Sequence, residues 1–215
     1  MILALIVLAI TFQVATSAPT TTSPPAGFSI TSFGLNGSGC PPGSASYVLS
    51  SDKSAVNVTY SQYYAEVGPT IPIDQNRKNC QLTFGISVPA GFSFGVASTS
   101  STKHGFYFLD SGVTASQQAL YYFQGSGKQA TNTEPCDSVT AQNNISGPVA
   151  GATYSYTAPF NLAFSNMSPC GASSVLNIDT SIRANNDGNP KGEGFIANDS
   201  SDVSFSQWFG SSAIY

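Results

Sequence analysis

The feature that most constrains this chain is alternation between apolar and polar side chains, repeated over many short stretches. Val56, Val58 and Tyr60 fall on one parity, and Asn57 and Thr59 on the other. Leu82, Phe84, Ile86 and Val88 alternate with Gln81, Thr83, Gly85 and Ser87. Phe92, Phe94 and Val96 repeat the pattern, as do Val203 and Phe205. Leu176, Ile178 and Ile182 stand opposite Asn177, Asp179, Ser181 and Arg183. Successive side chains of a strand point to opposite faces, so each stretch predicts a strand with one buried face. Residues 104–108 and 118–123 are more continuously apolar and predict strands covered on both faces.

Turn residues separate these stretches: Pro89-Ala90-Gly91, Asp110-Ser111-Gly112, Ser146-Gly147-Pro148 and Asn186-Asp187-Gly188-Asn189-Pro190. Many short strands joined by turns predict an all-β fold, an antiparallel β-sandwich with long irregular loops. No amphipathic helix and no fixed-period repeat stands out. Residues 124–150, rich in Gly, Ser, Asn, Gln and Thr, read as a long irregular excursion tied down by Cys136. A single domain over 28–215 is expected, because neither side of that excursion makes a complete sandwich alone.

The N-terminus reads as an address. Ile2 to Phe12 is apolar except for Thr11, too short to span a bilayer, which needs about 20 residues. It leads into the small residues Ala15, Ser17 and Ala18, the pattern of a signal peptide over residues 1–17. Residues 18–27, with Pro19, Thr20 to Thr22, Pro24 and Pro25, read as a disordered lead. The C-terminal stretch Trp208 to Tyr215 lacks the apolar tail of a lipid-anchor signal, so no membrane anchor is expected. The expected location is extracellular, free or associated with a cell wall.

Composition fits that location. Charged residues are 8% of the 215, against roughly 25% in ordinary soluble domains. Ser and Thr number 33 and 18, so hydroxyls supply much of the polar surface. A net charge of −4 argues against nucleic acid, which needs a basic patch. Five Asn-x-Ser/Thr sequons, at Asn36, Asn57, Asn144, Asn166 and Asn198, are candidate glycosylation sites wherever they reach the surface. Asn166 is followed by Met167-Ser168-Pro169, and that proline counts against modification there. The four cysteines, Cys40, Cys80, Cys136 and Cys170, suggest two disulfides in a secreted chain, with three pairings open. They form no Cys-x-x-Cys pair, and neither a metal nor a cofactor is expected.

Catalytic patterns are sparse. Gly91-Phe92-Ser93-Phe94-Gly95 matches the form of a nucleophile elbow, but it lies inside an alternating strand. The only histidine, His104, follows without an intervening carboxylate. Glu66, Asp74, Asp110, Glu134, Asp179 and Glu193 are candidates for a glycan-cleaving carboxylate pair. Asp110 precedes Ser-Gly and is more simply a turn cap, and Asp179 with Arg183 reads as a surface pair. Asn185 to Asn189 gathers oxygen ligands but reads as a turn, because the calcium-loop spacing fails. Aromatic pairs are the most suggestive feature. Tyr63-Tyr64 and Tyr121-Tyr122 each place one ring inward and one outward, and an outward Tyr beside Asn and Gln suits a sugar ring.

Several segments together resemble one family. They are Gly37-Ser38-Gly39-Cys40-Pro41, Val67-Gly68-Pro69, Arg77-Lys78-Asn79-Cys80-Gln81-Leu82, Leu109-Asp110-Ser111-Gly112, Tyr121-Tyr122-Phe123-Gln124-Gly125 and Ser168-Pro169-Cys170-Gly171. In order and spacing they resemble secreted, mostly fungal proteins catalogued as domain of unknown function 4360. The resemblance runs from about Phe28 to Trp208. It implies secretion and a β-rich domain and brings no established activity. It also implies a Cys40–Cys80 bridge. Members often carry a Cys after the residue matching Trp208. Here none follows, and Cys136 stands in for it, which implies a second bridge to Cys170. The expected function is a secreted glycoprotein that contacts cell-wall polysaccharide without cleaving it. The alternatives are a glycan hydrolase using Asp110 with another carboxylate, and an apoplastic effector-like protein that binds an extracellular host protein.

Overall fold

A computed structural model describes residues 25–94, 101–124, 138–157, 172–205 and 208–210. Alternation becomes strand wherever the described residues carry it. The strands, in chain order, are β1 (Ser29–Asn36), β2 (Ala45–Leu49), β3 (Ala55–Tyr60), β4 (Tyr64–Val67), β5 (Arg77–Ser87), β6 (Phe92–Phe94) and β7 (Ser101–Leu109). They continue with β8 (Thr114–Gln124), β9 (Ser138–Ser146), β10 (Val149–Thr157), β11 (Ser174–Asn185), β12 (Gly194–Ser204) and β13 (Trp208–Gly210). The helical content among the described residues is one 3-10 turn, Ile73–Gln75.

Two antiparallel sheets make a sandwich. The five-stranded sheet runs β1-β5-β11-β8-β9, and the six-stranded sheet β10-β7-β12-β3-β2 with β4 also paired to β12. β3 holds Ser200–Ser204 of β12 and β4 holds Gly194–Ala197, so the two lie end to end along one side of it. β6 and β13 form a separate two-stranded ribbon. The expected alternation holds in the core: Val56, Val58, Leu82, Phe84, Ile86, Val88, Leu176, Ile178, Ile182, Val203 and Phe205 are all buried. Phe84 meets Phe205 edge-on at 5.4 Å and Phe33 at 4.8 Å between ring centroids. Burying an aromatic or aliphatic side chain of this size stabilises by roughly 1.5–3 kcal/mol.

Cys40 and Cys80 are disulfide-bonded, their Cα atoms 5.5 Å apart. This is the bridge the family resemblance implied. The loop that carries Cys40 lies flat on β5. The Gly39 N–H donates to the Asn79 carbonyl at 2.7 Å, and a Cβ on Gly39 would stand 2.1 Å from the Tyr63 ring. Cys136 and Cys170 lie outside the described residues.

Two expectations need correction. Residues 138–146 and 149–157 are the strands β9 and β10, where an irregular excursion was expected up to 150. Both are edge strands, so one set of side chains faces solvent and the stretch reads as polar. Residues 104–108 and 118–123 are not covered on both faces either. Phe106 is 38% exposed and Gln118 is exposed.

Candidate functional site

The two sheets turn different chemistry outward. On the six-stranded sheet, Ala197 of β12 pairs with Tyr64 of β4 on one side and Phe106 of β7 on the other. Phe195, two residues earlier on the same face, stacks on Tyr64 with centroids 5.5 Å apart and planes 25° apart, and lies 6.5 Å from Phe106. Small Ala197 leaves the two flanking rings standing clear of the sheet. Tyr64 is 37% exposed. Phe106 needs a bare backbone beside it. A Cβ on Gly151, at φ +128°, would meet its ring at 3.1 Å.

A polar row borders these rings. Asn57 Nδ2 donates to Asp202 Oδ1 at 2.6 Å, and His104 Nε2 lies 3.1 Å from Asp202 Oδ2. The side chains of His104 and Asp202 are 42% and 53% exposed, so the pair is worth under about 1 kcal/mol. Thr102 and Thr157 hydroxyls bond across the next row at 3.0 Å.

The outer face of the five-stranded sheet is a polar trough. One hollow, of about 470 Å³, is lined by Arg77, Asn79, Gln118, Leu120, Asp179 and Ser181. A second, of about 360 Å³, takes Ser116, Gln142, Asn144 and Arg183 among its walls. At the far end Asn177 Oδ1 accepts from Gln81 Nε2 at 2.9 Å and Thr83 Oγ1 at 2.8 Å. Burial raises the Asp179 pKa, and the nearby Arg77 charge opposes that shift.

The expected tyrosines divide as the alternation required. Tyr63 and Tyr121 are core residues. The Tyr63 hydroxyl lies 2.9 Å from Thr180 Oγ1, which donates to the Cys80 carbonyl at 2.8 Å, so this ring ties the β3–β4 break to the five-stranded sheet. Tyr64 belongs to the aromatic strip, and half-buried Tyr122 sits on the trough face beside Asn177. Phe106 and Phe195 were missed. In sequence Phe195 stands in the run Gly194-Phe195-Ile196-Ala197, where nothing marks which parity is outward.

The sequons separate by exposure. Asn36 and Asn144 are exposed and Asn57 is half-buried. Asn198 is 1% exposed, which corrects its place among the surface sequons. With its amide oriented to satisfy its neighbours, it donates to the His104 and Ser200 carbonyls at 3.1 and 3.2 Å and accepts from Ser201 Oγ at 3.2 Å. A side chain enclosed this way has no room for a sugar in the folded chain. Asn166 lies outside the described residues.

Two of the candidate carboxylates, Asp110 and Glu193, are neighbours: the Asp110 N–H donates to the Glu193 carbonyl at 3.0 Å. Asp110 Oδ2 accepts the Glu193 backbone N–H at 2.8 Å, which is turn capping. Asp74 lies in the 3-10 turn, and Glu134 is outside the described residues. Asp179 feels Arg77 rather than the expected Arg183. Asn185 and Asp187 bond each other, and Asn186 and Asn189 donate to backbone carbonyls, so this loop is a turn. Among the described residues no group of three His, Cys, Asp or Glu could hold a metal. Ser93 sits in β6, in a strand and not at a strand-to-helix elbow.

One buried cation was not foreseen. Lys103 is 1% exposed, on the inward face of β7 between Tyr156 and Ser201 in register. Burial lowers its pKa to about 8. Gln117, also inward and 1% exposed, has neither amide atom hydrogen-bonded.

Residues 26–212 match the family described as Domain of unknown function (DUF4360). The chain belongs to that family. This DUF4360 chain is 36% identical over 172 residues to a protein of Arthroderma benhamiae named "Uncharacterized secreted protein". The match covers 80% of the chain and 64% of that relative, so the chain spans less than two thirds of the relative's length. The extracellular location expected from the leader agrees with a relative that is itself named secreted.

Among solved structures, TmCBM61 in complex with β-1,4-galactotriose is 11% identical, with 82% of this chain and 90% of that one covered at a TM-score of 0.26. A family 11 carbohydrate-binding module from Clostridium thermocellum, in complex with a mixed-linked tetrasaccharide, is 10% identical. There the coverage is 84% and 98% and the TM-score 0.24. At these scores the likeness carries no argument about fold or ligand.

Proposed function

We propose that this DUF4360 protein is a secreted, non-catalytic module that associates with cell-wall polysaccharide through the strip Tyr64, Phe195 and Phe106. The strip itself carries the reading. Two rings stand more than a third exposed on a rigid sheet, beside a third that stacks on one of them. The face of an aromatic ring is electron-rich and attracts the polarised C–H bonds of a sugar ring. Clustered exposed aromatics on a protein surface mark interaction sites. The bordering Asn57, Asp202, His104 and Thr102 supply donors and acceptors for sugar hydroxyls.

The mature protein, made in a secreting host, is incubated with insoluble chitin, β-glucan and cellulose. Depletion from solution and release of soluble sugar are both read. Saturable depletion from at least one polymer without sugar release is expected. A Tyr64→Ala/Phe106→Ala variant should bind that polymer at least about tenfold more weakly, the loss of two stacking contacts of about 1 kcal/mol each. No depletion on any of the three polymers overturns the reading. Sugar release abolished by Asp110→Asn replaces it with the hydrolase.

A further inference from the structure

We propose that the trough on the five-stranded sheet is a second binding site, for a polysaccharide that carries an anionic group, with Arg77 and Arg183 gripping that group. The ligand class rests on the polysaccharide reading above. The site itself does not involve the aromatic strip.

The chain has only two arginines, and the register places them directly opposite each other on β5 and β11. Both are exposed on the outer face. Like charges directly opposite on adjacent strands are destabilising. Neither guanidinium has a hydrogen bond or ion pair among the described residues, where the ion pair present is His104–Asp202. Asp179, four residues from Arg183 on the same face, offsets part of the Arg77 charge without contacting it. Two solvent-facing forks side by side, without a protein partner, are what a carboxylate or phosphate on a ligand would occupy, since a guanidinium can donate to two of its oxygens at once.

The surroundings extend the site beyond one anion. Arg77 walls the 470 Å³ hollow and Arg183 the 360 Å³ hollow, so the two hollows adjoin at the pair. Together they cross β5, β11, β8 and β9, about 14 Å at the usual strand spacing. Along that path Asn79, Gln118, Ser181 and Gln142 present amides and a hydroxyl, the groups that exchange hydrogen bonds with sugar hydroxyls. The net charge of −4 gives no general attraction to polyanions, so binding here has to come from the pair.

Affinity electrophoresis tests this, with the full mature chain run through native gels containing polygalacturonate, methyl-esterified polygalacturonate, phosphorylated mannan or neutral β-glucan. Retardation by polygalacturonate and not by its ester is expected. Arg77→Gln or Arg183→Gln should weaken it about tenfold or more, as for loss of a charged hydrogen bond. The double variant should abolish it. Arg183→Lys, which keeps the charge and loses the fork, should weaken it too and guards against a folding artefact. The Tyr64→Ala/Phe106→Ala variant should be retarded as fully as the parent. Retardation by phosphorylated mannan alone, lost in the double variant, supports the site with phosphate as its anion. No retardation by either acidic polymer, or retardation unchanged in the double variant, overturns the proposal. If β-glucan binding survives that result, the aromatic strip stands without the second site. If chitin, β-glucan and cellulose all fail to bind as well, both readings fall.

Discussion

Between the buried residues of β4, β12 and β7 stand Tyr64, Phe195 and Phe106, whereas between those of β5, β11 and β8 stand Gln81, Asp179 and Gln118. The inward sets of the two sheets are alike in kind, because both must bury apolar area in one core. The outward sets are released from that demand. One gathered aromatics at moderate exposure, and the other amides, hydroxyls and both arginines. Outward residues can therefore be exchanged with little change in folding, and their identities report on what the chain meets outside itself.

The sharpest way to break this comparison is to loosen the frame that both faces share. Replacing both Cys40 and Cys80 by Ser removes the closure of a loop spanning 40 residues, which costs about 4 kcal/mol in the chain-entropy model. For a chain of this size that lowers Tm by about 8–16 °C. One melting transition, with polymer binding by both faces lost together, is expected in thermal scans. Loss of the five-stranded face before the other would show that the sheets melt as separate units.

Lys103 lies in the interior between the faces and gives a smaller effect of opposite sign. Its folded pKa of about 8 is below the usual 10.5, so the unfolded chain holds more protons between those values. Stability therefore rises as pH climbs from about 8 toward 10. Above pH 10 the buried hydroxyls of Tyr60 and Tyr121, held protonated to about 12, act the other way as the unfolded tyrosines ionise. Lys103→Met should stabilise the protein at pH 7 by up to about 3 kcal/mol and flatten the rise. Urea midpoints at pH 7, 8.5 and 9.5 give the comparison. An unchanged slope would mean that the ammonium is solvated. The smallest effect is expected from Asp202→Asn, which should change stability by less than about 1 kcal/mol and leave polymer binding within twofold. A larger loss of binding would mean that the Asp202 charge itself, and not only an acceptor oxygen, holds the sugar.

Much of the core was legible because β5 alternates strictly between buried and outward positions and β11 does so apart from buried Asn177, so that Leu82, Phe84, Ile86, Leu176 and Ile178 declared their face. The candidate site was legible only at Tyr64 and Tyr122. β12 changes phase where its register with β7 shifts between Asn198 and Ser200, so a parity read from Val203 does not reach Phe195. The same shift turns Asn198 inward, which the sequon could not announce. β9 was hidden because its inward residues Ala141 and Ile145 are spaced by polar ones that suit an edge. Lys103 was hidden for another reason: a strand pattern assigns a face to every residue, but a charge on the inward parity looks like an error in the pattern until the opposite sheet is in place.

The turns at one end of the sandwich carry a consequence for survival outside the cell. Glu193 N–H bonds to Asp110, Asn189 Nδ2 to the Ser111 carbonyl, and Gly147 N–H to the Val113 carbonyl. Three separate reversals of the chain are thereby stitched into one cap. A protease must draw a segment out of its fold before cutting it, and here the 110–113 turn is bonded to both of the others, so none can leave without breaking a bond to the cap. Residues 109–113, 146–149 and 186–194 should thus be among the last to be nicked in an environment full of secreted hydrolases.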